Sequence, residues 1–343
     1  NKDGAFVAGD GFPTLAVFSN TDDDDDTPVE VPGQVWTGAI AKDFALGEGT
    51  EDDPFIIGTA AELAYAVKNA GFTGKYFKLS HDIYLNDINK VNWTTGKPIG
   101  SYKINEWLDN AAFSGNIDGN GYVVYGLYYK TANTNLTWGY WGGGLIPRVN
   151  VGDSVEITAL GIDYAYVYGV NGASAFVGFA GNTAYTEDTS VKANVTIDRC
   201  FVGSKVFIMG NDAGAFRGGT YNSVTAVKNS YSLATLRGTS TLGLVGNLWE
   251  ATVSIENSFN TKGAVTTDAY SWNDVGQNLK NVYVTDAAQY QGEVVTLTME
   301  QMLDGSMSLP EDVFIVGYNR LPLIKDFFRF SDSKNGNNYL GYT

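Results

Sequence analysis

The chain of 343 residues is 44% hydrophobic and 17% charged, and its net charge is −16. This composition predicts a soluble protein with a sizeable core, and the acidic surface disfavours nucleic acid, anionic membranes and polyanionic glycans such as pectate. No run of about 18 apolar residues is present, so no membrane span is predicted.

The counts of histidine and cysteine exclude several kinds of site. His81 is the single histidine, which removes His-His zinc sites and disfavours a histidine-based catalytic triad. Cys200 is the single cysteine, so no disulfide forms within the chain, and a small buried residue is expected there. We therefore expect no cofactor, with calcium as the one alternative.

The first 33 residues divide into two predicted segments. Residues 1–20 are extended and apolar, whereas residues 21–33 contain five consecutive aspartates and two prolines and are predicted to be a linker. A calcium site in the run 22–26 is the alternative, although calcium loops normally interleave their carboxylates with glycine and backbone ligands.

The apolar segment resembles a stretch near the other end of the chain. Residues 6–9 and 12–15 match residues 314–317 and 321–324 in the order of their apolar side chains. Residues 1–20 therefore have the pattern of the tail of a preceding copy of the same domain. Either the chain comes from a tandem array, or this segment docks on another subunit.

Residues 34–327 are predicted to form one domain, followed by a tail over 328–343. Its clearest helix covers residues 59–70, because Thr59 and Glu62 form a capping box and apolar residues recur at three and four spacing. We expect this amphipathic helix to cover the open N-terminal end of the strand-rich part of the domain. A shorter helix is predicted over residues 298–303.

A repeat in the second half of the chain predicts the fold. The segment 195–201 recurs at 224–231, at 253–259 and, in degenerate form, at 279–283, with its aromatic residue displaced by 30, 28 and 24 positions. Each copy alternates with period two, and a repeat unit of this length buries its apolar face only against a neighbour. The sequence thus predicts a parallel β-helix over about residues 72–326, and the positions expected inside it or in stacked rows are Val195, Ile197, Phe201, Val227, Tyr231, Ile255 and Phe259.

Several motifs in the chain resemble a known group of proteins. The segments 49–57 and 74–79, the Gly-rich turn 117–121 and the Gly-Leu-Val-Gly run 243–246 occur in the order found in GLUG-motif domains of bacterial secreted and surface proteins. The resemblance covers residues 34–327 and implies an all-β, right-handed parallel β-helix with a short N-terminal capping helix. It implies that Asp118 in the turn is structural. It leaves function open, since such domains serve as adhesins, spacers and glycan-binding modules and share their fold with pectin-cleaving enzymes.

An aromatic cluster is the sharpest candidate for a binding site. Trp138, Tyr140 and Trp141 precede three consecutive glycines and would form a flat platform on which sugar rings stack. Trp107, Trp249 and Trp272 lie in other loop-like segments. The alternative for each of these aromatics is a hydrophobic lid over an end of the coil stack.

Catalysis is the least favoured interpretation. Asp52, Asp53, Asp109 and Asp163 are available carboxylates, but nothing singles out a pair that faces one groove. A lyase would need arginine near its substrate, and Arg199 and Arg217 fall within coils, where a solvated face suits them.

The sequence therefore predicts a non-enzymatic module outside the cell or on a bacterial cell surface. Its expected partner is a neutral polysaccharide, such as plant cell-wall glucan, bound through exposed aromatics. One alternative is a structural subunit of a fibre or stalk that assembles through residues 1–20. The second is a β-helix polysaccharide hydrolase or lyase.

Overall fold

A computed structural model describes residues 6–8, 13–15, 34–109, 111–131, 142–182, 190–247, 249–262, 265–266, 277–286, 294–317 and 319–328. The strands that precede the first long coil are β1 (Phe6–Ala8), β2 (Pro13–Leu15), β3 (Phe55–Ile57), β4 (Lys75–Leu79), β5 (Ile83–Tyr84), β6 (Val91–Asn92) and β7 (Lys97–Pro98). The strands of the coils are β8 (Gly115–Tyr125), β9 (Tyr128–Lys130), β10 (Gly142–Gly143), β11 (Ile146–Val149), β12 (Ser154–Asp163), β13 (Ala165–Tyr168), β14 (Gly172–Ala173), β15 (Val177–Gly181), β16 (Ala193–Asp198), β17 (Phe201–Val202), β18 (Val206–Ala213), β19 (Arg217–Tyr221), β20 (Ser223–Lys228), β21 (Tyr231–Ser232), β22 (Thr235–Leu242), β23 (Val245–Gly246), β24 (Thr252–Asn260), β25 (Val265–Thr266), β26 (Gln277–Val284) and β27 (Val295–Thr296). The last two strands are β28 (Phe314–Ile315) and β29 (Leu323–Ile324), the α-helices are α1 (Ala60–Lys68) and α2 (Met299–Leu303), and single 3₁₀ turns cover Ala70–Phe72 and Lys325–Phe327.

The coils stack through two large parallel sheets. Within the described ranges, the first sheet has twelve strands and runs from β3 to β27, and the second has eleven strands and runs from β9 to β25. Neighbouring strands in each sheet come from successive coils, and all their pairings are parallel except that of β22 with β23. The parallel β-helix predicted from the sequence is confirmed.

The predicted repeat alignment matches the register of the first sheet. Ile197 pairs with Val227, Val227 with Ile255 and Ile255 with Leu279, so the degenerate fourth copy belongs to the same row. All seven positions that were expected inside or in rows are at most 2% exposed.

Helix α1 closes the N-terminal end of the stack. It begins after Thr59, whose Oγ1 accepts a hydrogen bond from the Glu62 amide (3.2 Å). The Glu62 carboxylate accepts a bond from the amide of Gly58 (3.0 Å), one residue before the position expected for a capping box. Leu63 and Val67 are fully buried in the main core beside β3, which is the outermost strand of the first sheet.

A turn repeated in each coil bends the first sheet between its two halves. Asn229, Asn257 and Asn281 have φ of +49°, +48° and +53°, a left-handed conformation that asparagine tolerates better than most residues. Their side-chain amides form a chain: Asn281 donates to Asn257 (3.0 Å) and Asn257 donates to Asn229 (3.1 Å). Arg199 occupies the same turn position one coil earlier, with φ of +51°.

The residue after this turn is small and buried in three successive coils, at Cys200, Ser230 and Ser258. Cys200 is fully buried and its amide donates to Ser230 Oγ (3.0 Å), while the amide of Ser230 donates to Ser258 Oγ (3.2 Å). Burial raises the pKa of the Cys200 thiol, so it remains protonated. Cys200 is therefore part of the stacking, as the sequence predicted.

The segments predicted at the two ends of the chain remain predictions. Residues 1–20, 21–33 and 328–343 lie outside the described residues, apart from β1, β2 and Phe328. The proposed calcium segment 22–26 is entirely outside them. None of the helices in the described part of the chain is long and apolar enough to cross a bilayer.

Candidate docking surface

The aromatic residues of the repeat form a ladder on the outside of the coil. Phe201, Tyr231 and Phe259 stack with ring centroids 5.5 and 4.8 Å apart and ring planes within 13° and 6° of parallel, and Tyr283 continues the row. Phe201 precedes Val202, which belongs to the main core, and successive side chains of a strand point to opposite faces. The ladder therefore faces away from the core, and we call it the outer ladder.

A single segment of the chain covers this ladder. Residues 297–327, the closing strap, begin where the amide of Leu297 donates to the carbonyl of Val284 at the last described coil (2.9 Å). The strap contains α2 and the β28–β29 hairpin. Its buried apolar residues, which share one cluster with the outer ladder, are Met302, Met307, Leu309, Phe314, Leu321 and Ile324.

The strap runs back along the stack towards the N-terminal coils. The hydroxyl of Tyr283 accepts a bond from the amide of Ser308 (3.0 Å), Phe314 packs near Phe259 (6.4 Å between centroids), and Phe327 meets Phe201 edge-on (4.7 Å, 84°). These contacts occur along the ladder in reverse order of the coils.

Polar contacts fix the far end of the strap. Asp326 Oδ2 lies 3.4 Å from Nε of Arg199, so the arginine that replaces asparagine in the repeated turn holds the strap. The carbonyl oxygen of Asp326 lies 2.0 Å from the position of a Cβ on Gly121, whose φ is +73°. Only glycine permits this approach, because a side chain would meet the strap backbone.

Burial changes the acid-base properties beneath the strap. The pKa of the Tyr231 phenol is raised, first by loss of solvent and second by the negative charge of Asp163. Asp163 is itself fully buried and accepts bonds from the amides of Tyr164 (2.8 Å) and Lys205 (3.1 Å). The Asp163 carboxylate thus stabilises the local backbone, and the raised pKa keeps the Tyr231 phenol neutral.

A second outer stack lies on the second sheet. Tyr128, Tyr166 and Phe207 are separated by 5.5 and 5.7 Å between ring centroids and are at most 7% exposed. The turn that contains Gly96 covers the first two rings: its carbonyl accepts from the Tyr128 hydroxyl (3.1 Å), and a Cβ on Gly96 would lie 2.5 Å from the Tyr166 ring. The guanidinium of Arg237 lies over the Phe207 ring, 5.3 Å from its centroid. Both outer aromatic stacks are therefore in contact with other parts of the same chain.

The remaining outer half of the first sheet is polar and open to solvent. The row that precedes the repeated turn carries charges of mixed sign, with ion pairs between Lys78 and Asp118 (3.0 Å) and between Lys280 and Glu256 (2.5 Å). Asp118 also accepts a bond from the amide of Asn120 (2.7 Å), as expected for a structural turn residue. The members of this row are Lys78, Asp118, Thr158, Asp198, Lys228, Glu256 and Lys280.

The predicted carbohydrate-binding residues do not form one site among the described residues. Trp107 is 3% exposed, its indole nitrogen donates to the carbonyl of Leu145 (2.8 Å), and its ring meets Trp36 edge-on. Trp249 is half-buried against Tyr221 (5.3 Å) in a different cluster. Both side chains pack against another aromatic residue of the chain. Trp138, Tyr140, Trp141 and Trp272 lie outside the described residues.

The described candidate carboxylates lie in separate settings. Asp109 accepts a bond from the Tyr129 hydroxyl (3.1 Å), and Asp163 is enclosed by the backbone amides that it binds. Asp52 and Asp53 lie in an exposed turn, where the Asp53 carbonyl accepts three backbone amides. Among the described residues, no three His, Cys, Asp or Glu side chains are grouped to hold a metal ion.

Arg217 was expected on a solvated face, and the structure places it inside the coil. It occupies a row with Val177 and Val245 and is fully buried. Its guanidinium donates to Thr225 Oγ1 (3.3 Å) and to the carbonyls of Gly218 and Asn247 (2.6 and 2.7 Å). Burial lowers the pKa of Arg217 to about 9, while Asp212 opposes the shift. The sequence contains a clue to this placement, because Ala-Phe-Arg-Gly at 215–218 resembles Ala-Phe-Val-Gly at 175–178, and Arg217 then corresponds to the core residue Val177.

Comparisons with known proteins give partial matches. No protein-family model matches the chain. A protein of Evansella cellulosilytica named "Putative Gly-rich membrane protein" is 35% identical over 136 residues, which is 39% of this chain and 14% of that protein. Halomucin of Haloquadratum walsbyi is 28% identical over 169 residues, which is 49% of this chain and 2% of that protein.

One solved structure also matches. It is described as a "putative immunoglobulin A1 protease from Bacteroides ovatus", with a TM-score of 0.42, 14% identity, and coverage of 82% of this chain and 95% of that one. The matched region spans only a small part of each curated relative.

Proposed function

We propose that this chain is a non-catalytic structural module of a longer protein outside the cell or on its surface, in which the β-helix acts as a rigid spacer. One observation carries the proposal. The chain has one described β-helix and two antiparallel hairpins of the same register: β1–β2 pairs Phe6 with Leu15, and β28–β29 pairs Phe314 with Ile324. A module that contains a second copy of its own closing hairpin is suited to contacts between successive copies.

Other features are compatible with this role. The curated relatives are much longer than the matched region, and one of them is named as a membrane protein. The polar row before the repeated turn contains two ion pairs, and the outer ladder is covered by the closing strap. Three of the carboxylates considered for catalysis already have partners within the chain: Asp163 accepts backbone amides, Asp109 accepts the Tyr129 hydroxyl, and Asp118 is paired with Lys78.

Two measurements test the proposal. Incubation of the full chain with neutral and acidic polysaccharides should release no new reducing ends and no unsaturated products. Small-angle scattering should detect a stack whose nine successive strands, from β3 to β27, rise by roughly 4.8 Å each, or about 40 Å in total. Depolymerisation that is lost in Asp118→Asn or Asp163→Asn would overturn the non-catalytic role.

A further inference from the structure

The pairing of β1 with β2 repeats the backbone register of β28 with β29, the hairpin of the closing strap. In the strap, Phe314 begins the hairpin, Ile324 ends it, and Phe327 comes three residues later to meet Phe201. In the N-terminal segment, Phe6 and Leu15 are paired across a hairpin in the same way, and Phe18 comes three residues after Leu15.

The two hairpins agree in their backbone pairing as well as in their residue types. The second pair of each hairpin is also equivalent, since Val7 pairs with Thr14 and Ile315 pairs with Leu323. In both hairpins a proline precedes the return-strand member of this pair, at 13 and at 322. The hairpins differ by one residue in their connection, because Phe6 and Leu15 are nine positions apart whereas Phe314 and Ile324 are ten apart.

We infer that residues 6–18 are a second closing strap, which docks on the outer ladder of another copy of this β-helix. This inference rests on the proposed structural role and names its partner. In the docked state β1 takes the position of β28 beside the ladder, and β2 takes the position of β29.

The partner is a β-helix of the same kind because the surface it must offer is specific. The hairpin needs flat aromatic rings at the spacing of stacked coils, with ring centroids about 5 Å apart, as in Phe201, Tyr231 and Phe259. In this chain the ladder is already covered by its own strap, whose local concentration is far higher than that of any separate segment. Docking of residues 6–18 therefore requires a ladder whose own strap is absent or displaced.

A transplant experiment tests the equivalence of the two hairpins within one full chain. Residues 314–327 are replaced by residues 6–18, and thermal unfolding is compared with that of the parent chain. We expect the transplant to keep the Tm within a few degrees. A matched transplant with Phe6→Ser and Leu15→Ser should lower the Tm by at least about 5 °C, as should the parent chain with Phe314→Ser and Ile324→Ser. Equal Tm losses in both transplants would overturn the inference.

Docking between copies is tested by opening the ladder. The chain with Phe314→Ser and Ile324→Ser should self-associate in light scattering at micromolar concentration, because residues 6–18 of one copy then reach the exposed ladder of the next. The same chain with Phe6→Ser, Leu15→Ser and Phe18→Ser added should be monomeric. An identical mass for the two variants would overturn docking, whereas the product assay for polysaccharide cleavage would be unaffected and reports on the structural role separately.

Discussion

The two halves of the first sheet share one core and differ on the outside. Before the repeated turn, the outer side chains are small or charged, as in Asn194, Thr196 and Asp198, and they face solvent. After the turn, the outer side chains are aromatic, as in Phe201 and Tyr231, and the closing strap covers them. The inward side chains therefore form the core of the coil. The outward side chains determine whether each half of the sheet is exposed to solvent or covered by another segment of the chain.

The largest effect should come from the covered half. Tyr231→Ala should reduce the free energy of unfolding by about 3–5 kcal/mol, because it removes a ring that is 2% exposed between Phe201 and Phe259. Thr196→Ala on the open half should change it by less than about 0.5 kcal/mol, since Ala226 already occupies that row. Urea unfolding measures both. Tyr231→Phe keeps the ring and should stay within about 1.5 kcal/mol of the parent chain; similar losses for the two alanine variants would contradict the comparison.

Two glycine variants separate the effect of the strap contact at Gly121 on stability from the effect of its left-handed backbone conformation. Gly121→Ala should destabilise the protein by about 2–4 kcal/mol, because it combines a left-handed backbone with a collision against the Asp326 carbonyl. Gly74→Ala is the matched control, since Gly74 has φ of +70° and no atom within 4 Å of the added Cβ. It should cost only about 1–2 kcal/mol. If both variants unfold at the same urea concentration, the strap does not press on Gly121.

The turn between the halves should depend on backbone conformation as well as on hydrogen bonding. Asn257→Gly keeps access to the left-handed φ of +48° and loses the side-chain amide bonds, for a cost of about 1 kcal/mol. Asn257→Ala loses the same bonds and adds strain, so its cost should exceed that of the glycine variant by about 1 kcal/mol. Thermal unfolding of the pair checks the order, and a glycine variant less stable than the alanine variant would refute it.

The smallest effect on stability is expected for the aromatic cluster at 138–141. If this cluster binds polysaccharide, as the sequence predicts, the double variant Trp138→Ala, Trp141→Ala should weaken that binding at least about tenfold, because about 1.4 kcal/mol of stacking free energy corresponds to one decade. The same variant should leave the Tm nearly unchanged. A glycan array and then a titration provide the measurement. Normal binding together with a Tm lower by many degrees would assign these aromatics to a lid.

The repeats made the fold readable from the sequence, because rows of Ile197, Val227 and Ile255 obey one register. The capped helices α1 and α2 were equally accessible, since their start signals are local. The outward direction of the ladder could not be predicted from the sequence. Phe201 and Val202 are both apolar, and an alternating pattern does not show which of two apolar faces points into the core. The strap was hidden for a different reason, namely that its partners lie up to about two hundred residues away in sequence, as Asp326 lies from Gly121.

The candidate site was less predictable than the fold. Trp107 has the sequence surroundings of a loop residue, yet its indole nitrogen finds a carbonyl inside the core, and only the structure reveals that partner. The likeness between residues 6–15 and 314–324 was visible as a pattern. Its meaning required the strand pairing and the contacts of Phe314 and Phe327, which depend on distant coils.

The reversed path of the strap has a consequence for how the β-helix comes apart. In a simple solenoid each coil touches only its neighbours, so the terminal coil can fray while the others persist. Here one segment bonds to Tyr283 at the last coils, crosses Phe259, and reaches Phe201 and Gly121 several coils earlier. Detaching the strap exposes rings in all of these coils at once, which ties their opening together. The C-terminal half should therefore exchange its amide hydrogens as one cooperative unit, with no gradient of protection from coil to coil.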